Sequence, residues 1–283
     1  MIDLHTHTTE SDGSYTPEQL VETAVAAGLE ALGITDHDTF AGYQKAQERA
    51  KVVGLDLVCG VEVSTTHRGR SVHLLGYFLD GPPGDEIQRQ LADMRRSRSE
   101  RNHRLIERLQ ALGFAITLDE VRALGRGMSG RPHFAQVMVR KGYVSTTQEA
   151  FDLYLGEEGR AHIERRSIPL MEAIRLIGVA GGLAILAHPV RLRRKSSGFD
   201  ADEALIAECA ANGLMGIEAY HSDHSPDDVL RYRTLAAQLG LVVSGGSDFH
   251  GAAKPDVTLG SGRNENVMVP RAVLDRLRKL GRA

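Results

Sequence analysis

Short apolar runs alternate along this chain with stretches of helical periodicity, and that rhythm leaves few folds open. The runs fall at 2–5, 31–35, 56–63, 72–79, 183–187, 215–220 and 241–245, and helical patterns at 17–27, 40–53, 170–180, 202–212, 226–239 and 270–280 separate most of them. Strand and helix in turn predict parallel strands joined by crossover helices, and seven strands suggest that the sheet closes into a (β/α)7 barrel of the α/β class. The helices carry end signals. Thr16-Pro17-Glu18 reads as a cap followed by a first-turn proline, and Gly28 and Gly54 follow the last periodic residues. The rhythm breaks between Gly81-Pro82-Pro83-Gly84 and Gly159, where no strand pattern occurs and a long helix is expected over 85–112. The expected organisation is therefore a barrel domain from 1–80 plus 160–283, with a helical insertion over 81–159.

Composition narrows the function classes. Apolar residues make up 42 % of the 283 and charged residues 25 %, so the chain can bury a core. A formal charge of −3 excludes nucleic-acid binding by bulk charge, though not through a local basic patch. Two cysteines, Cys59 and Cys209, make no disulfide framework and fit a reducing compartment. The longest uncharged run, 176–190, is too short to span a bilayer, and the start of the chain shows no signal-peptide pattern. A cytoplasmic protein with no membrane contact and no obligate protein partner is expected.

Polar residues cluster where the apolar runs end. His5-Thr6-His7 closes the first, and residues two apart on a strand share a face, so both imidazoles converge. Asp12 follows in the next loop. The second run ends Thr35-Asp36-His37-Asp38, the third holds the lone carboxylate of Glu62, the fourth carries His73, the fifth ends Ala187-His188-Pro189 and the last ends Asp248-Phe249-His250. Each pattern alone is weak, since a lone histidine in an apolar strand is more often a satisfied core residue than a ligand. Together, six histidines and three carboxylates would meet at the C-terminal rim of a parallel barrel, where active sites lie. Buried without partners, they would be very costly, and a multinuclear metal cluster removes that cost. Imidazole and carboxylate donors suit Zn²⁺, Mn²⁺ or Fe²⁺. Nine donors fit two or three ions, with Glu62 as the natural bridge.

These motifs, in this order and spacing, resemble those of the PHP (polymerase and histidinol phosphatase) family, over the whole chain except the insertion. The resemblance implies an amidohydrolase-like, distorted seven-stranded barrel holding up to three ions. It implies a first ion on His5, His7, Glu62 and Asp248, a second on Glu62, His73 and His188, and a third on Asp12, His37 and His250. Asp12 stands where many members carry histidine, and an oxygen donor there favours Mn²⁺. The position of the insertion resembles the subgroup of nucleoside 3′,5′-bisphosphate phosphatases and a related bacterial 5′-to-3′ exoribonuclease.

The insertion offers two substrate-reading signals. The long helix has an apolar stripe of Ile87, Leu91, Met94, Leu105, Leu109 and Leu112, interrupted by Arg98, Arg101 and Asn102. Those polar residues either face substrate or lie on a solvated face. Gly127-Met128-Ser129-Gly130-Arg131-Pro132-His133 reads as a helix start capped by Ser129 or Gly130, an anion site to which Arg131 and His133 add charge. Arg191 touches a phosphate or lies on the surface. His221 and His224 are polar-loop or catalytic residues, and Lys254 is unassigned.

The expected activity is metal-dependent phosphomonoester hydrolysis, with Glu62, His188 and Asp248 at the chemical centre and Asp248 or a rim histidine moving protons. The expected substrate is a nucleoside 3′,5′-bisphosphate such as adenosine 3′,5′-bisphosphate (pAp), its 5′-phosphate held at Ser129–His133. The rivals are 5′-to-3′ hydrolysis of short single-stranded RNA, histidinol-phosphate hydrolysis, and a degenerate metal-binding scaffold.

Overall fold

The computed structural model describes residues 1–125, 129–164, 167–193 and 200–281. Contacts divide the chain into two compact units, Met1–Leu91 with Ser167–Ala283, and Ala92–Arg166.

The first unit is built around one sheet. Its strands are β1 (Ile2–Thr6), β2 (Ala31–Ile34), β3 (Asp56–His67), β4 (Arg70–Phe78), a two-residue β5 (Ile168–Pro169), β6 (Leu183–Leu186), β7 (Gly216–His221) and β8 (Val242–Gly246). The order is β1-β2-β3-β4-β6-β7-β8, with β5 beside β3. Helices α1 (Pro17–Ala26) and α2 (Ala41–Val53) connect the first three strands. The start of α1 is set locally: Thr16 accepts the N–H of Gln19, whose side chain accepts the N–H of Thr16, with Pro17 in the first turn.

An all-parallel sheet was the expectation, and β4 corrects it. β4 pairs antiparallel with both β3 and β6. Only Arg68 and Gly69, at φ 49° and 78°, join β3 to β4. A two-residue connection returns the chain beside itself, whereas a parallel partner needs a crossover of a dozen residues or more. The reversal brings the start of β4 to the rim where the other strands finish, with His73 opposite Ser64, two residues beyond Glu62.

The sheet curls until β8 approaches β1, but these two strands are not ladder neighbours. Asp248 N–H donates to His5 O at 2.8 Å, and His7 N–H donates to Phe249 O at 2.9 Å. Beneath them the buried Asp3 carboxylate accepts Ser247 N–H (2.9 Å), Ser247 Oγ–H (2.5 Å) and Gly260 N–H (2.8 Å). The approach requires glycine at 246, where a Cβ would lie 2.3 Å from His5 N. Ile2, Leu4, Leu75, Tyr77, Ile185 and Val242 are buried in one core cluster. The Tyr77 hydroxyl reaches Leu4 O (3.1 Å) and Ser244 Oγ (3.0 Å), tying β4 to β1 and β8.

The long helix α3 (Asp85–Ala111) begins in the first unit and continues into the second. The second unit also contains α4 (Leu118–Gly125), α5 (Arg131–Arg140) and α6 (Thr147–Ala150), followed by a π turn over Phe151–Leu155. Leu105, Leu109, Ile116, Val121, Phe134, Met138 and Leu155 form its core. The remaining helices are α7 (Leu170–Val179), α8 (Asp200–Ala211), α9 (Pro226–Gln238) and α10 (Arg271–Gly281). Among the described residues, no helix is long and apolar enough to cross a membrane.

Candidate metal centre

Glu62 is the hub of the rim. It sits on β3, 1 % exposed. Its Oε1 lies 2.8 Å from His73 Nδ1 and 2.9 Å from His188 Nε2. Its Oε2 lies 3.2 Å from His7 Nε2, 3.2 Å from His37 Nδ1 and 3.5 Å from His5 Nε2. Burial pushes the carboxyl pKa up, but His37, His73 and His5 pull it well below the usual range, so it stays ionised.

Asp248 faces two ways. Its Oδ1 lies 3.4–3.5 Å from ring nitrogens of His5, His7 and His250. Its Oδ2 accepts from Lys254 Nζ (2.6 Å) and Arg191 (2.9 Å), with His221 Nε2 at 3.4 Å. Burial raises its pKa, and Lys254, His250, His5 and Arg191 more than reverse this. Asp12 completes the rim. Its Oδ1 is 3.3 Å from both His7 Nδ1 and His250 Nε2, and its Oδ2 is 3.7 Å from His37 Nε2.

The loops bearing these donors hold unusual backbone. Asp38, His188 and Asp248 take positive φ (55°, 28° and 57°), a conformation that non-glycine residues adopt at a cost and that clusters at functional sites. Buried carboxylates hold the loops in place. Asp36 accepts Thr8 N–H, Thr8 Oγ–H and Ser11 Oγ–H at 2.5–2.8 Å, and Asp38 accepts Ser64 N–H at 2.8 Å.

The donor set fits metal ions. His5 Nε2, His7 Nε2 and His37 Nδ1 are buried without a hydrogen-bond partner, and all three face Glu62 Oε2. Two donors about 2.1 Å from one tetrahedral ion lie about 3.4 Å apart, the spacing found here. Donor atoms within 4.8 Å of one another form four groups: His5, His7, Glu62 and Asp248; His37, Glu62 and His73; His7, Asp12, His37 and His250; and His5, Glu218 and His221. The first reproduces the expected first ligand set. In the second, His37 joins His73, while His188 shares Glu62 Oε1 with His73 and His37 faces Oε2.

Glu218 escaped the sequence reading, while His221, read there as a polar-loop or catalytic residue, lies in this rim beside Asp248. Glu218 shows the signal that exposed Glu62, a lone acid in an apolar strand. Lys254 showed no pattern, and only the fold brings it to Asp248. Arg191 is placed at this site, bonded to Asp223 (2.7 Å) as well as to Asp248.

Of the residues expected to read substrate in the second unit, Asn102 and Ser129 are in contact. Arg101 and Asn102 are buried, so the gap in the α3 stripe is not a solvated face. Asn102 Nδ2 donates to Ser129 O at 2.8 Å. Gly130 caps α5, and its N–H donates to His133 Nδ1 at 3.0 Å. His133 therefore closes this helix start with a lone pair rather than adding positive charge, which corrects that expectation. Arg131 donates to Leu155 O at 3.2 Å. Gly127 and Met128 lie outside the described residues.

The PHP domain model matches residues 3–125. A 5′-3′ exoribonuclease of Haemophilus influenzae is 35 % identical over 88 % of this chain and 89 % of its own length. The chain belongs to the PHP family. Two further relatives each match over 88 % of this chain. One is a phosphoribosyl 1,2-cyclic phosphate 1,2-diphosphodiesterase of Eggerthella lenta (36 % identical, 94 % of its length), and the other a 3′,5′-nucleoside bisphosphate phosphatase of Chromobacterium violaceum (34 %, 87 %). A crystal structure from Bifidobacterium adolescentis, assigned to the metal-dependent phosphoesterases, superposes with a TM-score of 0.81 at 34 % identity, covering 98 % of this chain and 94 % of that one. This PHP protein is a metal-dependent phosphoesterase, and the family accounts for the near-closed mixed barrel.

Proposed function

We propose that this PHP phosphoesterase removes the 3′-phosphate from nucleoside 3′,5′-bisphosphates such as pAp, giving a nucleoside 5′-monophosphate and phosphate. The supporting observation is the crowd of unpartnered buried imidazole nitrogens around Glu62, beside two cations, Arg191 and Lys254. In this reading His5, His7, Glu62 and Asp248 hold one ion, and His37, His73, His188, Asp12 and His250 complete one or two more, with Mn²⁺ favoured by the Asp12 oxygen. The ions supply water activation and charge neutralisation for attack on phosphorus. Asp248, kept anionic, takes a proton from the attacking water as the P–O3′ bond breaks and passes it to the leaving 3′ oxygen, which restores the carboxylate. Arg191 and Lys254 offer donors to the phosphoryl oxygens.

The second phosphate is assigned to the cationic groups of the helical unit, with Arg131 foremost. A charge-assisted hydrogen bond is worth about 1.5–3 kcal/mol, so Arg131→Ala should lower kcat/KM for pAp about 10-fold to 100-fold. Removing the 5′-phosphate from the substrate should make the two proteins nearly equal. If the two losses multiply independently, Arg131 does not read that phosphate. A second reading, 5′-to-3′ exoribonuclease action, draws support from the Haemophilus relative. Comparing kcat/KM of Mn²⁺-loaded protein on pAp, a 5′-phosphorylated dinucleotide, 5′-AMP and histidinol phosphate separates the readings. A preference for the dinucleotide overturns the first, and turnover of none supports a scaffold.

A further inference from the structure

Glu218 lies on β7, fully buried, and forms the fourth donor group with His5 and His221. The hydrogen bonds decide what that group can do. His221 Nδ1 accepts the N–H of Asp223 at 2.9 Å, so its proton sits on Nε2, which faces Asp248 Oδ2. His221 therefore has no free lone pair for an ion. Glu218 is committed on both oxygens: Oε1 lies 2.7 Å from His5 Nδ1, and Oε2 accepts the backbone N–H of His188 at 2.8 Å. A ligating histidine offers a lone pair from one ring nitrogen, and a hydrogen bond at the other selects which.

We propose that Glu218 is a positioning residue for two donors at once: it fixes the His5 proton on Nδ1, aiming the Nε2 lone pair at the site shared with His7, Glu62 and Asp248, and it pins the left-handed backbone of His188 so that this ring reaches Glu62. The proposal rests on the metal reading above. One carboxylate thereby couples a donor from β1 to a donor from the loop after β6, and the fourth group is a support rather than another ion site.

Glu218→Gln gives a sharp test because it keeps shape and volume. The His188 N–H can only donate, so it claims the amide oxygen, and the amide NH₂ is left facing His5 Nδ1. His5 must then accept at Nδ1 and carry its proton on Nε2, the nitrogen meant for the ion. The wrong tautomer blocks ligation without emptying the site, as when an orienting carboxylate is replaced by its amide in a catalytic triad. Losing such a partner typically costs 10-fold to 100-fold in metal affinity. Titration calorimetry with Mn²⁺ should show that loss for Glu218→Gln, while KM for pAp at saturating Mn²⁺ stays near the wild-type value. In the Zn²⁺-loaded wild type, ¹⁵N imidazole spectra should show His5 protonated at Nδ1, a reading that needs no variant to fold. Wild-type Mn²⁺ affinity in Glu218→Gln, or a His5 without its proton at Nδ1, overturns the proposal and leaves the metal reading intact. A wild-type protein that binds no divalent ion overturns both.

Discussion

Replacing Glu62 with glutamine should uncouple this protein from its metal while leaving the barrel folded. The side chain keeps its volume but loses the charge that lies within 3.5 Å of five imidazole rings. Glu62 also belongs to two of the four donor groups, so the change weakens both. A support residue outside the ligand set costs up to about 100-fold in metal affinity, and a shared ligand should cost at least that. For wild-type protein at Mn²⁺ one hundred times its Kd, binding adds about 2.7 kcal/mol to stability, and a 100-fold weaker variant at the same concentration gains only about 0.4 kcal/mol. At about 2–4 °C per kcal/mol for a chain of this size, Mn²⁺ should raise the wild-type Tm by about 5–11 °C and that of Glu62→Gln by about 1–2 °C. Differential scanning fluorimetry in EDTA and in Mn²⁺ reads both numbers, and the EDTA melts report any loss of folding separately. A Glu62→Gln protein with the full Mn²⁺ shift, or a wild type with none, would refute the assignment of Glu62 as the hub.

Two pH effects follow from the burial of other rings. Burial lowers the His7 pKa, but Asp12 and Glu62 raise it to about 9, so in metal-free protein the imidazolium contributes stability below about pH 6.5 that is lost as pH rises through 9. An ion must displace that proton, so Mn²⁺ affinity should rise by up to tenfold per pH unit from pH 6.5 towards 9, and a flat calorimetric profile would sink the assignment. His224, its Nδ1 on Ala219 O and its Nε2 unpaired, is held neutral by burial and by His221, with a pKa lowered to about 4. Its contribution of about 3 kcal/mol should be complete above pH 6.5 and lost as pH falls towards 4. Urea denaturation should therefore show wild type losing stability relative to His224→Phe across that window; a difference independent of pH would exclude His224 as the titrating group.

Legibility in the sequence followed the range of the forces involved. The seven long strands were readable because periodicity and end signals are local. The direction of β4 was also encoded, in the eight residues separating runs 56–63 and 72–79, too few for a crossover. The pair Ile168–Pro169 was not foreseen, because two residues carry no period. His5 and His7, or Asp248 and His250, could be read as converging because strand geometry alone puts residues two apart on one face. Glu218 was invisible as a distinct role: a supporting carboxylate and a ligating one demand the same burial, and only the partner atoms tell them apart. His133 failed for a similar reason. Its position at a helix start suggested charge, but the lone pair it gives to Gly130 N–H is a matter of tautomer, which sequence does not carry.

The meeting of β1 and β8 has a consequence for how the molecule opens. The join is made by a few bonds around Asp3, His5, His7 and Asp248 rather than by a continuous ladder. Donors stand on both sides of it, His5 and His7 on one and Asp248 and His250 on the other. An ion held across that line would be a clasp on the seam, so shedding metal and parting the barrel become one event. Amide hydrogen exchange at 5–7 and 247–249 should then report the metal content of the protein more directly than exchange anywhere else in the sheet.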